Sequence, residues 1–164
     1  MTRAPITQKL ASFIADFEPG NLPDEVLNYT RLLVFDGIGT LAAATHPKIT
    51  SSARIGAFAE AQGGRPEATL IGREAKVGVV NAVLANGTLG YACDMEPHHP
   101  EAILHPISIM VPTALALSEA HGRNGADFMT AIALGYPNDD FAANQVKSDR
   151  EPNENFVRYV GFED

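Results

Sequence analysis

Proline and glycine divide this sequence into segments in which apolar residues recur at helical spacing, a pattern that restricts the possible folds more than any other feature. The first segment ends at "EPGNLP", and its apolar residues are Ile6, Leu10, Phe13, Ile14 and Phe17. The other segments cover approximately residues 23–44, 49–64, 74–93, 106–122 and 124–136. Because they are rich in small residues, they predict five or six tightly packed helices rather than a sheet.

One short stretch, "EATLIG", is typical of a β-strand, since Thr69, Leu70 and Ile71 lie between polar residues and glycine. The 164 residues are enough for one domain with a hydrophobic core. We therefore predict a mainly α fold, a helical bundle with at most one or two short strands.

The segment that begins at Pro23 has the features of a long helix. Pro23 suits a first helical turn, and Asp24 and Glu25 complement the positive end of the helix dipole. Gly37 and Gly39 each cost about 1 kcal/mol relative to alanine inside a helix, so we expect another backbone to approach closely there. The residues predicted to point inward are Val26, Leu33, Val34, Ile38 and Leu41.

The charge of the chain excludes some classes of partner. The formal net charge is −8 and the sequence pI is near 5.0. Nucleic-acid binding requires clustered lysine and arginine, and anionic membrane surfaces repel an acidic protein. We therefore expect neither partner. An acidic protein can still bind an anionic metabolite if the binding site itself has a positive potential.

The single thiol, Cys93, excludes an intrachain disulfide and a thiolate zinc cluster. The amino-terminal residues lack an uninterrupted apolar region because Lys9, Ser12 and Asp16 interrupt it, so they do not resemble a signal peptide. We expect a cytoplasmic location.

The loop "CDMEPHHPEAILHP", residues 93–106, concentrates acids and histidines between two predicted helices. Asp94 lies near the carboxyl end of the first helix, and His105 directly precedes Pro106 at the start of the second. The positive end of a helix dipole disfavours an imidazolium, so a neutral His105 could act as a base toward a bound carboxylate. This arrangement suits a small anionic metabolite.

Two other interpretations of this loop stay open. Its possible metal ligands are Asp94, Glu96, His98, His99 and His105. Their spacing is poor for a metal site, because His98 and His99 are adjacent and no His-Glu-x-x-His helix occurs. The loop could also be a solvated connection whose histidines cap helices and contact water.

The residues from 137 onward differ in character from the rest. Residues 137–164 contain seven acidic and three basic residues, and their apolar residues are sparse and without a clear period. We predict a divergent acidic tail that is at least partly loop or poorly ordered chain.

Several separated segments resemble one protein family. The segment from "VLANGTLGY" to "AIALGY" is similar to the MmgE/PrpD family, which includes 2-methylcitrate dehydratase, cis-aconitate decarboxylase and iminodisuccinate epimerase. "RLLVFDGIGTLAAA" and "ATLIG" resemble the amino-terminal region of that family. The positions that match its pattern are Asn86, Gly87, Asp94, His105, Pro106, Gly135 and Tyr136.

This resemblance implies a family-like helical amino-terminal domain over residues 1–136, which forms homodimers. It also implies chemistry without a cofactor or metal on di- or tricarboxylic acids, in which a proton α to a carboxylate is removed. By the same resemblance Asp94 and His105 are predicted to be catalytic. The predicted substrate-binding residues are His98, His99 and Asn86.

The chain also departs from the family pattern. The family's histidine after the helix of Asn86 is either replaced by Tyr91 or absent, and Pro137 stands where the family has glutamate after Gly-Tyr. The family's smaller domain, which contributes lysine and further histidine to the site, has no counterpart here. We therefore predict a truncated lyase that is incomplete as an enzyme. The alternative is a non-catalytic interaction or oligomerisation module, or a subunit that needs a partner chain.

Overall fold

A computed structural model describes residues 6–18, 20, 22–98 and 103–133. Within these residues the helices are α1 (Ile6–Ala15), α2 (Asp24–Ala43), α3 (Thr50–Gln62), α4 (Val79–Tyr91), α5 (Ile107–Ala120) and α6 (Gly125–Ala133). The strands are β1 (Ala68–Thr69) and β2 (Lys76–Val77). The predicted mainly α fold with at most one or two short strands is confirmed. Gly135, Tyr136 and the predicted tail lie outside the described residues.

Contacts between Cα atoms divide the chain into two units, residues 1–13 together with 137–164, and residues 14–136. Of the first unit, the structure describes only residues 6–13, which belong to α1. The second unit contains α2 to α6, both strands and the loop between α4 and α5. The features below all belong to this second unit. In the part of the chain that the structure describes, no helix combines the length and apolar character needed to cross a membrane.

The larger hydrophobic core lies where α2, α4, α5 and α6 meet. Val111 of α5 is completely buried and Leu41 of α2 nearly so. Leu89, Ile107 and Ile132 complete the contacts between these helices. This cluster fixes α5 against α4, and these two helices flank the polar loop of residues 93–106.

Small residues allow α5 to approach its neighbours closely. A Cβ atom on Gly90 of α4 would lie 3.0 Å from the Cα atom of Ser108, and one on Gly37 of α2 would lie 2.5 Å from Cγ2 of Ile107. At Gly37 the close neighbour is thus the side chain of Ile107, and the predicted approach of another backbone is wrong there. It is also wrong for Gly39, where no atom of another described element lies within 4 Å of such a Cβ position. Ile38 was also wrongly predicted to point inward, since it is 46% exposed.

The two strands form an antiparallel pair, in which Ala68 is opposite Val77 and Thr69 is opposite Lys76. The prediction that the helix preceding the polar loop begins at Glu74 is wrong, because Lys76 and Val77 belong to β2 and α4 begins after Gly78. Ala68 and Val77 are buried in a second hydrophobic cluster with small residues of α3, α4 and α5.

Glu119 of α5 connects this strand pair to the helices. Its carboxylate accepts hydrogen bonds of 2.7 Å from both the backbone N–H and the hydroxyl of Thr69, and it also pairs with Lys76. Burial alone would raise the pKa of Glu119, but the hydrogen bonds from Lys76 and Thr69 outweigh it and lower the pKa below its ordinary value. Glu119 is therefore a structural acid that is stabilised in its ionised form.

Candidate active site

Asp94 lies in a sharp bend that follows α4. The helix ends at Tyr91, and the backbone N–H of Asp94 donates to the Tyr91 carbonyl over 3.1 Å. Asp94 has a φ of 51°, a left-handed conformation that aspartate tolerates better than most residues. The bend leaves 73% of its side chain exposed. Asp94 therefore lies near the carboxyl end of the helix, as predicted, although α4 ends two residues before Cys93.

His105 lies directly before α5, as predicted. Pro106 occupies the N-cap position of α5, and the His105 carbonyl accepts a 2.7 Å hydrogen bond from the hydroxyl of Ser108. The imidazole is half-buried, with 31% of the side chain exposed. His105 is thus held at the amino end of a 14-residue helix, where the dipole is positive.

The imidazole of His105 contacts a buried carboxylate. Its Nδ1 atom is 3.0 Å from Oε1 of Glu96, whose side chain has no exposed surface. The nearest Asp94 oxygen is farther from the same nitrogen, at 4.0 Å. The other carboxylate oxygen of Glu96 is buried and has no hydrogen-bond partner. Glu96 and His105 therefore form a tightly held pair, and Asp94 lies at its exposed side.

An open cavity of about 890 Å³ lies beside this pair, between α4 and α5. Asp94 and His105 line it together with Thr88, Tyr91 and Ser108. Apolar side chains of α4 and α5 form much of the rest of the wall, namely Val83, Leu84 and Ile109. The cavity is large enough for a small metabolite, whose polar groups would face Asp94 and His105.

Two aromatic rings contact the imidazole of His105. The ring of Tyr91 meets it edge to face, with centroids 5.3 Å apart, and that of His98 stacks on it with centroids 5.7 Å apart. Tyr91 is thus adjacent to His105, the base predicted from the sequence. His99 lies outside the described residues.

Asn86 lies apart from this cavity. Only 2% of it is exposed, and its side-chain amide donates to the Thr69 carbonyl over 2.9 Å while its oxygen accepts from the Ile71 N–H over 3.0 Å. These bonds fix strand β1 and the residues after it to α4. Asn86 lines a different, smaller cavity of about 290 Å³. The structure therefore brings together Asp94, His98 and His105 but assigns the Asn86 side chain to contacts with the backbone.

Sequence reasoning treated Glu96 only as a possible metal ligand. One ligand atom from each of Asp94, Glu96 and His105 lies within 4.8 Å of the others, so these three residues could also hold a metal ion. A metal ion on Nδ1 would replace the hydrogen bond to Glu96, so the two arrangements are mutually exclusive. The sequence showed that Glu96 is near His105 along the chain, but no pattern indicated its complete burial.

Comparison with known proteins identifies relatives of this chain. The MmgE/PrpD N-terminal domain matches residues 8–147. The cis-aconitate decarboxylase-like protein oryM of Aspergillus oryzae is 25% identical over 139 residues, which cover 80% of this chain and 28% of that protein. Cis-aconitate decarboxylase of Aspergillus terreus is 26% identical over 137 residues, which cover 80% of this chain and 27% of the enzyme. No solved structure gives a significant match.

The chain thus spans about a quarter of the length of these relatives. The family match includes α2 to α6, both strands and the loop that carries Asp94, Glu96 and His105. It also continues beyond residue 136, into the predicted tail. The agreement of sequence pattern, helical fold and family match leads to one conclusion: the chain belongs to the MmgE/PrpD family.

Proposed function

We propose that this domain supplies the acid–base part of a lyase site for a di- or tricarboxylic acid. The observation that carries the proposal is the position of His105, which lines the cavity while its Nδ1 atom is held by the buried carboxylate of Glu96. A histidine that is held in this way presents its other ring nitrogen as a base. The relatives named for cis-aconitate decarboxylase support a tricarboxylic acid as the substrate.

The amino end of α5 provides local positive potential for an anionic substrate. The first N–H groups of a helix lack intrahelical acceptors, and the helix dipole favours a negative charge near them. Ser108 lies in this first turn and also lines the cavity. A substrate carboxylate could bind there without a basic side chain, which is consistent with the acidic composition of the chain.

In the proposed reaction, His105 removes a proton from the carbon α to a substrate carboxylate. The electrons of the broken C–H bond form a C=C bond as a β-hydroxyl departs, and the carboxyl group of Asp94 passes to it the proton with which it leaves as water. In a decarboxylase the C–C bond to CO₂ breaks instead, and a proton is delivered to the carbon left behind. The dehydration uses one proton acceptor and one proton donor, whereas the decarboxylation needs only a donor, and both His105 and Asp94 lie on the cavity wall.

We further propose that another domain or chain completes this site. Among the described residues that line the cavity there is no lysine or arginine, while Asp94 is acidic. A substrate with two or three carboxylates needs more positive charge than one helix dipole provides. The completing part would therefore contribute cationic side chains opposite Asp94 and His105.

Activity measurements on cis-aconitate and 2-methylcitrate test this proposal. We expect the protein, assayed together with the domain or chain that completes the site, to convert at least one of these acids. His105→Ala should lower kcat by roughly a hundredfold or more, since loss of a general base costs about 10²–10⁴ in rate. His121→Ala, at the opposite end of α5, is the matched control and should retain activity. A wild-type protein that converts neither acid, or an unaffected His105→Ala variant, would contradict the proposal.

A non-catalytic role is the second candidate function, and an exposed apolar stripe on α2 favours it. Leu32, Phe35 and Ile38 follow one another at intervals of three residues and are 67%, 80% and 46% exposed. Such a stripe is typical of a surface that binds another protein. Turnover that requires His105 would favour the lyase, whereas stable association without turnover would favour the interaction module.

A further inference from the structure

We propose that Glu96 is a positioning residue that holds His105 in the tautomer with the proton on Nδ1. This proposal deepens the proposed function and rests on it, because the tautomer decides which nitrogen can accept the substrate proton. In this tautomer Nδ1–H donates to Glu96 and the lone pair of Nε2 is available as the base. Nε2 forms no hydrogen bond with any described residue.

The distances favour Glu96 over Asp94 as the partner of Nδ1. The Glu96 oxygen is at hydrogen-bond distance, 3.0 Å, whereas the Asp94 oxygen is 4.0 Å away. The Glu96 side chain is fully buried, but the Asp94 side chain is 73% exposed. A hydrogen bond to a buried carboxylate is stronger and less screened than one to an exposed carboxylate. Asp94 is consequently left free for a separate role toward the substrate.

The second oxygen of Glu96 strengthens this inference. Oε2 is buried without a partner, so the hydrogen bond between Oε1 and His105 is the only one that a described side chain makes to this carboxylate. A buried carboxylate needs a donor, and Nδ1–H is the donor that the geometry offers. The alternative is a protonated Glu96 that donates to an unprotonated Nδ1, in which case Nε2 would carry the proton. The two arrangements predict opposite tautomers and can be distinguished directly.

The tautomer has a consequence for the proton transfer. When Nε2 takes up the substrate proton, the imidazole becomes an imidazolium with N–H groups on both nitrogens. The Glu96 carboxylate faces the Nδ1 side of that cation and stabilises it until Nε2 gives the proton back. Tyr91 and His98 contact the ring edge to face and by stacking, so they limit its rotation. Glu96 therefore acts through His105 without touching the substrate.

Nitrogen NMR of histidine-labelled protein measures the tautomer independently of catalysis. The chain has five histidines, and the His105 signals are identified as those absent from the His105→Ala variant. At a pH where the histidines are neutral, we expect a protonated, pyrrole-type Nδ1 and an unprotonated, pyridine-type Nε2 in the wild type. Glu96→Gln should shift the population toward the opposite tautomer, and Asp94→Asn should not. A wild type with the proton on Nε2, or a Glu96→Gln variant with unchanged signals, would overturn the proposal.

The conservative variant Glu96→Asp covers the case in which Glu96→Gln fails to fold, as judged by circular dichroism. It keeps the carboxylate but shortens its reach, so the Nδ1–H population should fall only partly. An Asp variant with an unchanged tautomer population would count against positioning by Glu96.

Kinetics then separates this inference from the proposed function. In the active protein, Glu96→Gln should lower kcat about ten- to a hundredfold while KM changes less than about threefold. If the wild type has no lyase activity, the proposed function fails, but the tautomer measurement still decides whether Glu96 positions His105. If kcat falls while the tautomer is unchanged, the positioning role is wrong although the lyase function stands.

Discussion

The Glu96–His105 pair couples the stability of the domain to its proposed site. Glu96 has no exposed side-chain surface, and His105 is the only described residue that hydrogen-bonds to it. Removing one member of a buried polar pair leaves the other without compensation, and this penalty is larger than the net contribution of the bond itself. A variant made to test catalysis therefore also changes folding, and both effects have to be measured.

We predict that His105→Ala destabilises the protein by roughly 1–3 kcal/mol, because it leaves the Glu96 carboxylate buried without a donor. The double variant Glu96→Gln with His105→Ala should recover part of this loss, since an uncharged amide is less costly to bury than a carboxylate. Urea unfolding of the wild type, both single variants and the double variant measures this coupling. Strictly additive effects would show that the two side chains do not interact.

The site was only partly predictable from the sequence. The pairing of Asp94 and His105 near one cavity follows from their positions at the adjacent ends of two helices. The burial of Glu96 does not, because it depends on the non-helical backbone that follows α4, which has no sequence period. The structural role of Asn86 was also not predictable, because nothing in the sequence of a helix indicates that an asparagine side chain will hydrogen-bond to the backbone of a strand.

The strand pair β1–β2 depends on one helical residue, Glu119, which bonds to both strands. At the scale of elements, the helices were predicted from the helical spacing of apolar residues and from the abundance of small residues. Strand β2 was missed because "EAKV" continues the composition of the helix that follows it. Two-residue strands are too short to show a period, and the side chain that bonds to both of them, Glu119, lies about 50 residues further along the chain.

We predict that Glu119→Gln destabilises the protein by about 1–2 kcal/mol at neutral pH, because charge-assisted hydrogen bonds to Thr69 and Lys76 are weakened. The pKa of Glu119 is lowered in the folded protein. Its stabilisation is therefore complete above the ordinary value of 4.5 and is lost as the pH falls through the lower, folded pKa. Unfolding free energies measured from neutral to acidic pH should converge for the wild type and the variant.

The exposed Glu74, which lies between the two strands, provides the matched control for this experiment. Glu74→Gln should leave the unfolding free energy within about 0.5 kcal/mol of the wild type, as surface substitutions usually do. A Glu119→Gln variant that is as stable as the Glu74→Gln variant at neutral pH would contradict the structural role of Glu119.

At the scale of the molecule, this family member places a cavity and an apolar surface on the same helical domain. The cavity lies between α4 and α5, and the apolar stripe of Leu32, Phe35 and Ile38 lies on α2. Helix α2 packs against α5 through Gly37, so a partner bound on the stripe would contact a helix that supports His105. Assembly and catalysis could therefore be linked in this domain, even though their surfaces are separate.

We predict that the chain self-associates through this stripe, with the homodimer as the expected form. Phe35→Ser should weaken association at least tenfold, because burial of a phenylalanine contributes about 1.5–3 kcal/mol and each 1.4 kcal/mol is a factor of about ten. Val80 on α4 is equally exposed, at 80%, and lies outside the stripe, so Val80→Ser is the matched control. Light scattering over a range of concentrations gives the mass of each variant. A wild type that stays monomeric throughout, or a Val80→Ser variant that dissociates as readily as Phe35→Ser, would show that the stripe is not a contact between copies.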